Sequence, residues 1–257
     1  MPELGPGAIG ALTLVALAAG TIDAIAGGGG LLTLPALLWA GVPPHLALGT
    51  NKGQSVFGSG AALLRFARGG LVDGARARLT FPLGLAGSLA GAALVLAVPP
   101  DVLRPVVIAL LFGAGIFLGT RRAPPGARAA PPRAPRLAAG GLALAVGAYD
   151  GFFGPGTGTL LILGFVALLG DGMARASAEA KVVNFASNLA AVALFSARGA
   201  VVWQLALPMA AAQLAGGWLG AHLAVRRGDA LVRRVVVAVA IAVAAKLAWD
   251  VVRAELV

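Results

Sequence analysis

The sequence predicts an all-α polytopic membrane protein built from two inverted-topology repeats, each with a Gly-broken, V-shaped first helical segment followed by three transmembrane helices. Three observations lead there. The 257 residues are 59% hydrophobic and only 12% charged, with a mean hydropathy of +0.90, whereas soluble domains carry about 25% charged residues. An Asp followed four residues later by a glycine cluster occurs once in each half of the chain. The basic residues gather in three short loops, and one arrangement of the apolar segments puts all three on the same side.

Apolar runs recur from end to end, at 8–40, 46–64, 79–98, 102–120, 137–169, 182–197, 202–225 and 235–249. Each approaches or exceeds the roughly 20 residues that cross a bilayer. The net charge of +10 resides in short loops between these runs, not along one basic face, which argues against nucleic acid as a partner. The chain has no cysteine, so it offers no disulfide and no thiolate nucleophile or ligand. The amino end, MPELGPGAIGALTL, lacks a basic residue before its apolar run, so the first segment is expected to be retained, not cleaved.

The two first segments are the overlong ones, and they match. AGTIDAIAGGGGLLTLPALL (Ala19 to Leu38) aligns with VGAYDGFFGPGTGTLLILGF (Val146 to Phe165), setting Gly20 over Gly147, Asp23 over Asp150, Gly27 over Gly154 and Gly29 over Gly156. Further on, RFARGGLVD (65–73) resembles FSARGAVVW (195–203), and AGSLAGA (86–92) resembles AGGWLGA (215–221). Between the halves, RRAPPGARAAPPRAPR reads as an extended cytoplasmic linker. The expected organisation is a first repeat at 1–120, the linker at 121–136 and a second repeat at 137–257.

Orientation follows from the basic loops at 65–78, 121–136 and 226–234. If every apolar segment crossed once, the third loop would fall opposite the first two. If instead each Gly-interrupted segment is a V that enters and leaves on one side, all three loops become cytoplasmic and the 41–46 turn lies outside. Each half then crosses three times and the second is inverted, a plan in which matched Gly-broken segments mark the binding site of secondary transporters. The first arms, at about 17 to 18 residues, are nearly long enough to span alone, so they must tilt or be partly exposed.

At each break the non-helical backbone lies at membrane depth, where protein or a water-filled cavity must satisfy it. A second arm starting near Gly30 or Thr157 directs free amides and the positive end of its dipole at the break, a ready anion site. Gly28, Gly29, Gly30, Gly156, Thr157 and Gly158 are the candidates there; the same glycines also suit tight helix packing. Asp23 and Asp150 are costly inside a membrane and have three competing roles: proton acceptor, brace on the exposed amides, or ion-pair partner of a lysine.

The following helices bring more polar groups. LGTNKGQSVFG (48–58) supplies Thr50, Asn51, Lys52, Gln54 and Ser55; AEAKVVNFASN (178–188) supplies Glu179, Lys181, Asn184, Ser187 and Asn188. Gln54 with Gly58, and Asn184 with Asn188, share a helix face by their spacing of four, and that face should look inward. Lys52 and Lys181 fall within one residue of each other when the two ARG segments are superposed, and so offer an anion one cation from each half. Snorkelling to the headgroups is the competing account of both. Gln213 is a weaker lining candidate, and the loop arginines read as topology determinants. His45 and His222 are far apart without ligand spacing, and neither a nucleophile motif nor a phosphate loop is present, so no enzyme, metal or cofactor is expected.

These doubled motifs, GTIDAIAGGGGLLTLPALLWAGVPPHLALGTNK in the first half and GAYDGFFGPGTGTLL with AEAKVVNFASN in the second, resemble the TauE/SafE sulfite exporter family, also called the 4-toluene sulfonate uptake permeases, and most closely its YfcA-like branch. The resemblance spans nearly the whole chain. It implies a multi-pass protein of the bacterial inner membrane that moves small sulfur-containing anions such as sulfite, sulfonates or sulfoacetate, with proton coupling. It carries the binding role onto Gly27 to Gly30, Gly154, Gly156, Gly158, Thr50, Asn51, Lys52, Lys181, Asn184 and Asn188. The second cluster here reads GPGTG in place of a plain glycine run. The expectation is thus a secondary transporter working by alternating access, whose partners are a small anion, membrane lipid and, as one option, a second copy of the chain. A channel-like anion permease without proton coupling is the alternative.

Overall fold

The computed structural model describes residues 4–120 and 134–255, and among them the structure is helical. The helices are α1 (Pro6–Ala26), α2 (Gly30–Trp39), α3 (Pro44–Arg68), α4 (Gly74–Leu96), α5 (Pro100–Thr120), α6 (Pro135–Phe152), α7 (Thr157–Leu169), α8 (Met173–Ala197) and α9 (Trp203–Glu255). Helix α9 is broken at Gly228 (φ 63°, ψ −155°), so 203–227 and 229–255 are separate arms. Each half therefore runs long helix, short helix, then three further helical stretches. Most of the linker, 121–133, lies outside the described residues. Its last two expected positions belong to α6, which begins at Pro135 because proline at the first helical position gives up an amide that has no partner there anyway.

Among the described residues α1, α4 and α8 are each long and apolar enough to cross a membrane. The helices depart from the hydropathy segments where polar residues are buried. Helix α8 begins at Met173, nine residues before the apolar run at 182, because Ser177, Glu179 and Lys181 point into protein and lower the hydropathy without interrupting the helix. Helix α3 likewise buries Thr50, Asn51, Lys52 and Gln54 in a row.

Two separate apolar clusters make up the core of the bundle. In one, Leu12 and Ala16 of α1 pack with Leu34 and Leu37 of α2, and with Leu4, Ile9 and Leu38 beside them. In the other, Ala139 and Ala143 of α6 pack with Leu161, Ile162 and Phe165 of α7. The open ends of the two helix pairs thus lie in different clusters. The second cluster also borders the basic loops: Arg76 pairs with Asp171, Arg175 with Asp73 at 3.0 Å, Arg65 donates to His222 at 3.1 Å, and Asp229 accepts from the Ala174 amide at 2.8 Å. A cavity of about 510 Å³ is rimmed by Arg76, Arg78 and Arg136.

The halves are interleaved. Helix α1 packs along α9, and α6 packs along α4. Both contacts use the small-residue segments noticed in the sequence. Gly216 and Gly220 lie against the Leu17 and Thr21 carbonyls of α1, while Gly87 and Gly91 lie against the Leu144 and Ala148 carbonyls of α6, and none of the four leaves space for a Cβ. Where helices meet in lipid, such backbone approach supplies the packing that the hydrophobic effect does not.

Candidate functional site

The two breaks meet inside the bundle. Helix α1 stops at Ala26, where Gly27 (φ 74°) and Gly28 (φ 87°) turn the chain; α6 stops at Phe152, and Gly154 (φ 97°) and Gly156 (φ 86°) do the same. A side chain is doubly excluded at Gly27, by its left-handed backbone and by the Gly158 and Thr159 backbone pressed against it. The second arms begin at Gly30 and Thr157, the residues the sequence singles out.

Protein groups satisfy the backbone that these breaks release. Ser177 Oγ donates to the Ala24 and Ile25 carbonyls at 2.9 and 3.0 Å, Thr159 Oγ1 to the Ala26 carbonyl at 2.9 Å, and Tyr149 Oη to the Pro155 carbonyl at 2.7 Å. The Gly29 amide donates to Asp23 Oδ1 at 3.1 Å. The amide end of α2 therefore already holds an anion, and it is the chain's own carboxylate. These hydroxyls meet the requirement that irregular backbone at membrane depth be hydrogen-bonded.

The four charged candidates form two ion pairs, each crossing between the halves. Lys52 Nζ lies 2.8 Å from Asp150 Oδ1, and Lys181 Nζ lies 2.6 Å from Asp23 Oδ2. The sequence offers the two lysines as cations for a bound anion; in the structure each holds a carboxylate instead, since a buried ammonium without a counter-charge would be prohibitively costly. Asn184 joins the pairs, accepting from Lys181 Nζ at 3.3 Å and donating to Asp150 Oδ2 at 3.4 Å. The result is one continuous network: the Gly29 amide, Asp23, Lys181, Asn184, Asp150 and Lys52.

The two carboxylates are not equivalent. Asp150 accepts from Lys52, Thr157 (2.9 Å), Asn184 and Ser187, and its side chain is 3% exposed. These donors fill the acceptor capacity of a carboxylate. Asp23 accepts from the Gly29 amide and Lys181, and its side chain is 21% exposed. Gly158 lies beside this second pair: a Cβ there would sit 3.5 Å from both Asp23 Oδ1 and Lys181 Nζ.

Other predicted residues stand apart from the network. Asn51 Oδ1 accepts from Thr33 Oγ1 at 2.6 Å and from Gln54 Nε2 at 3.0 Å, and Thr33 also reaches the Gly29 carbonyl, tying α3 to the first break. Thr50 accepts the Val202 amide at 3.0 Å and so fixes the turn before α9. Asn188 donates to Ser59 Oγ at 3.4 Å, across α3 and α8. Gly28 and Gly156 shape the turns, and Gly30 packs against Pro155. Ser187, one of the polar groups of AEAKVVNFASN, reaches Asp150, while Thr33 and Ser177 join the site without having been sequence candidates. Ser187 lies three residues after Asn184, on the inward face, and was legible there; Ser177 precedes the apolar run and carries no such signal.

The profile of the family described as sulfite exporter TauE/SafE matches residues 12–247. The chain belongs to the TauE/SafE family. It is 40% identical over 242 residues to the probable membrane transporter protein ORF9 of a Sinorhizobium species, covering 93% of this chain and 92% of that protein. It is 39% identical over 253 residues to the probable membrane transporter protein YfcA of Escherichia coli K12, covering 96% and 92%. A probable membrane transporter protein of Haemophilus influenzae is 38% identical over 250 residues, covering 96% and 97%. No solved structure matches the chain significantly. This TauE/SafE member is accordingly a membrane transporter and not an enzyme.

Proposed function

We propose that this chain is a secondary transporter of the bacterial inner membrane that moves small sulfur-containing anions, of the sulfite, sulfonate or sulfoacetate type, together with protons. Two repeats of inverted topology rock against each other, and the anion binds between their helix breaks. The observation that carries the reading is the meeting of both breaks, Gly27 against Gly158 and Thr159, beside two Lys–Asp pairs buried among apolar helices. Discontinuous helices whose amide ends face one another, with ionisable groups at their tips, are the usual makings of a transporter site. Two further features support inverted repeats. The open ends of the α1–α2 and α6–α7 pairs lie in different clusters, and Gly87 with Gly91 make on α6 the contacts that Gly216 with Gly220 make on α1. The choice of sulfur-containing anions rests on the description of the family.

Proteoliposomes test this directly. Wild-type protein is offered sulfite, several sulfonates, sulfate and chloride under two opposed pH gradients, with Asp150→Asn in parallel. The expected result is uptake of at least one sulfur-containing anion that accelerates with an inward proton gradient and is lost in the variant. Flux of no anion would overturn the reading. Conductance indifferent to the proton gradient would replace it with a channel-like permease.

A further inference from the structure

The two ion pairs look equivalent by their place in the repeat, yet their surroundings differ. Asp150 is held by four side-chain donors and is closed off, whereas Asp23 holds one lysine and one amide and keeps a fifth of its side chain exposed. A charged carboxylate at membrane depth faces water, not lipid, and of the two aspartates Asp23 is the one with side-chain surface left to meet it. Lys181 at the centre of this pair is fully buried. An oxyanion arriving at the Asp23 pair would find its two best donors, Lys181 Nζ and the Gly29 amide, already occupied by the Asp23 carboxylate.

We propose that Asp23 is a place-holder for the transported anion: the anion binds by displacing the Asp23 carboxylate from Lys181 and the Gly29 amide, Asp23 takes up one proton as it does so, and the Asp150–Lys52 pair is a fixed lock that stays closed throughout. This rests on the anion-transport reading above and assigns its coupling to one of two carboxylates. Charge balance gives the stoichiometry. Two lysines and two aspartates sum to zero, so a monoanion added to the buried network leaves one uncompensated charge unless a proton arrives with it. Protonating Asp23 restores neutrality at the same place, and a monoanion then crosses with one proton and no net charge.

The groups facing Asp23 are few among the described residues. Helix α8 presents Lys181 and, through Asn184, the Asp150–Lys52 pair; α2 presents the Gly29 amide; α7 presents Gly158; and α9 faces this part of α1 with Gln213, Gly216 and Gly220. Glu179, two residues before Lys181, is engaged elsewhere, accepting the Asp73 amide at 2.7 Å. Lys181 is thus the one charge that Asp23 meets directly.

The test is calorimetric titration of the purified full-length protein with methanesulfonate and 4-toluenesulfonate, monoanions whose charge is constant across the physiological pH range. In wild type, apparent affinity should weaken about tenfold per pH unit once Asp23 is ionised, with one proton drawn from weakly buffered solution per anion bound. Asp23→Asn should bind without taking up a proton and with no pH slope. Ser187→Ala, which loosens Asp150 without removing its charge, should keep the wild-type slope. Proton uptake is read on wild type, so the assignment stays testable even if a variant misfolds. A slope retained by Asp23→Asn, or wild-type binding without a proton, would overturn the assignment and leave the transport reading standing. No binding of either sulfonate to wild type at any pH would count against both.

Discussion

Asp150→Asn probes the closed ion pair most directly. The substitution leaves the Lys52 ammonium, 2% exposed, without its counter-charge. Removing one partner of a buried pair costs about 3 to 5 kcal/mol, far more than the pair itself contributes. The introduced carboxamide would keep one oxygen, either for Lys52 and Thr157 or for Asn184 and Ser187, and would set N–H donors against the other two, so the upper half of that range is expected. Replacing both partners, Lys52→Met with Asp150→Leu, removes the stranded charge. The remaining hydroxyls keep other acceptors, Thr157 on the Gly154 carbonyl at 2.6 Å and Ser187 on the Asn184 carbonyl at 3.0 Å. Asn184 keeps Lys181. The double variant should therefore lose about 1 to 2 kcal/mol, less than either single variant. Reversible denaturant unfolding in mixed micelles, run as a double-mutant cycle over Lys52→Met, Asp150→Leu and their combination, measures the coupling. Additivity within about 0.5 kcal/mol would refute the pairing of Lys52 with Asp150.

Gly27→Ala should destabilise by about 1 to 2 kcal/mol for its left-handed backbone alone, and by more for the collision with Thr159, as read by thermal unfolding of the detergent-solubilised protein; a wild-type midpoint would mean that the breaks do not touch. Asp73 caps α4, and its carboxyl is held below the usual carboxylate range chiefly by the Arg76 amide, with the Ala75 amide and Arg175 acting in the same direction against the effect of burial. Because its folded value is depressed, its stabilisation is complete above the unfolded value of about 3.9 and is lost as pH falls through the folded one. Asp73→Ala should then lower stability by about 0.5 to 1 kcal/mol near neutrality, the low end for a helix cap because the side chain is 35% exposed, and the gap should close below about pH 4. A gap that widens in acid would contradict the linkage. The chain contains no cysteine, so single cysteines report sidedness cleanly. Ala75→Cys and Arg198→Cys, both exposed, should label from opposite faces of the membrane in intact cells, and same-face labelling would refute the placement of the basic loops at one end.

The repeat and the local chemistry of the breaks were legible because they depend on near neighbours in sequence. Gly30 and Thr157 open the second arms because glycine and proline disrupt helix at 27–29 and 153–156, and an apolar run follows each. The inward faces of α3 and α8 were legible from spacings of four. What lay out of reach was the pairing. Lys52 finds Asp150 across 98 residues and Lys181 finds Asp23 across 158, so no periodicity relates them. Three roles stood open for the aspartates, and Asp23 combines two of them, bracing the Gly29 amide and pairing with Lys181. The early part of α8 was hidden for a different reason. Hydropathy scores Ser177, Glu179 and Lys181 as solvent-seeking, while the fold gives Ser177, Lys181 and Glu179 Oε1 protein partners and buries Glu179 Oε2 without one.

Crossed pairing constrains how such a molecule can move. Among the described residues each lysine is neutralised by the other half's aspartate alone, so the halves cannot part as rigid bodies without stranding a buried charge. A rocking motion that broke both pairs together would meet the full cost of two uncompensated ions, at about 3 to 5 kcal/mol each. Breaking them in sequence is easier, and the asymmetry of the network fixes the order. The Asp150–Lys52 pair, with its four donors, is the axis that stays closed. The Asp23–Lys181 pair, more exposed and short of donors, is the one that the proposed exchange of a proton and an anion would separate. The glycine contacts of α1 with α9 and α6 with α4 leave the same freedom, because small smooth surfaces slide where interlocked side chains would not. Interleaving thus turns a duplicated sequence into an unequal machine: the repeat supplies two equivalent pairs, and the different surroundings of Asp23 and Asp150 decide which one opens.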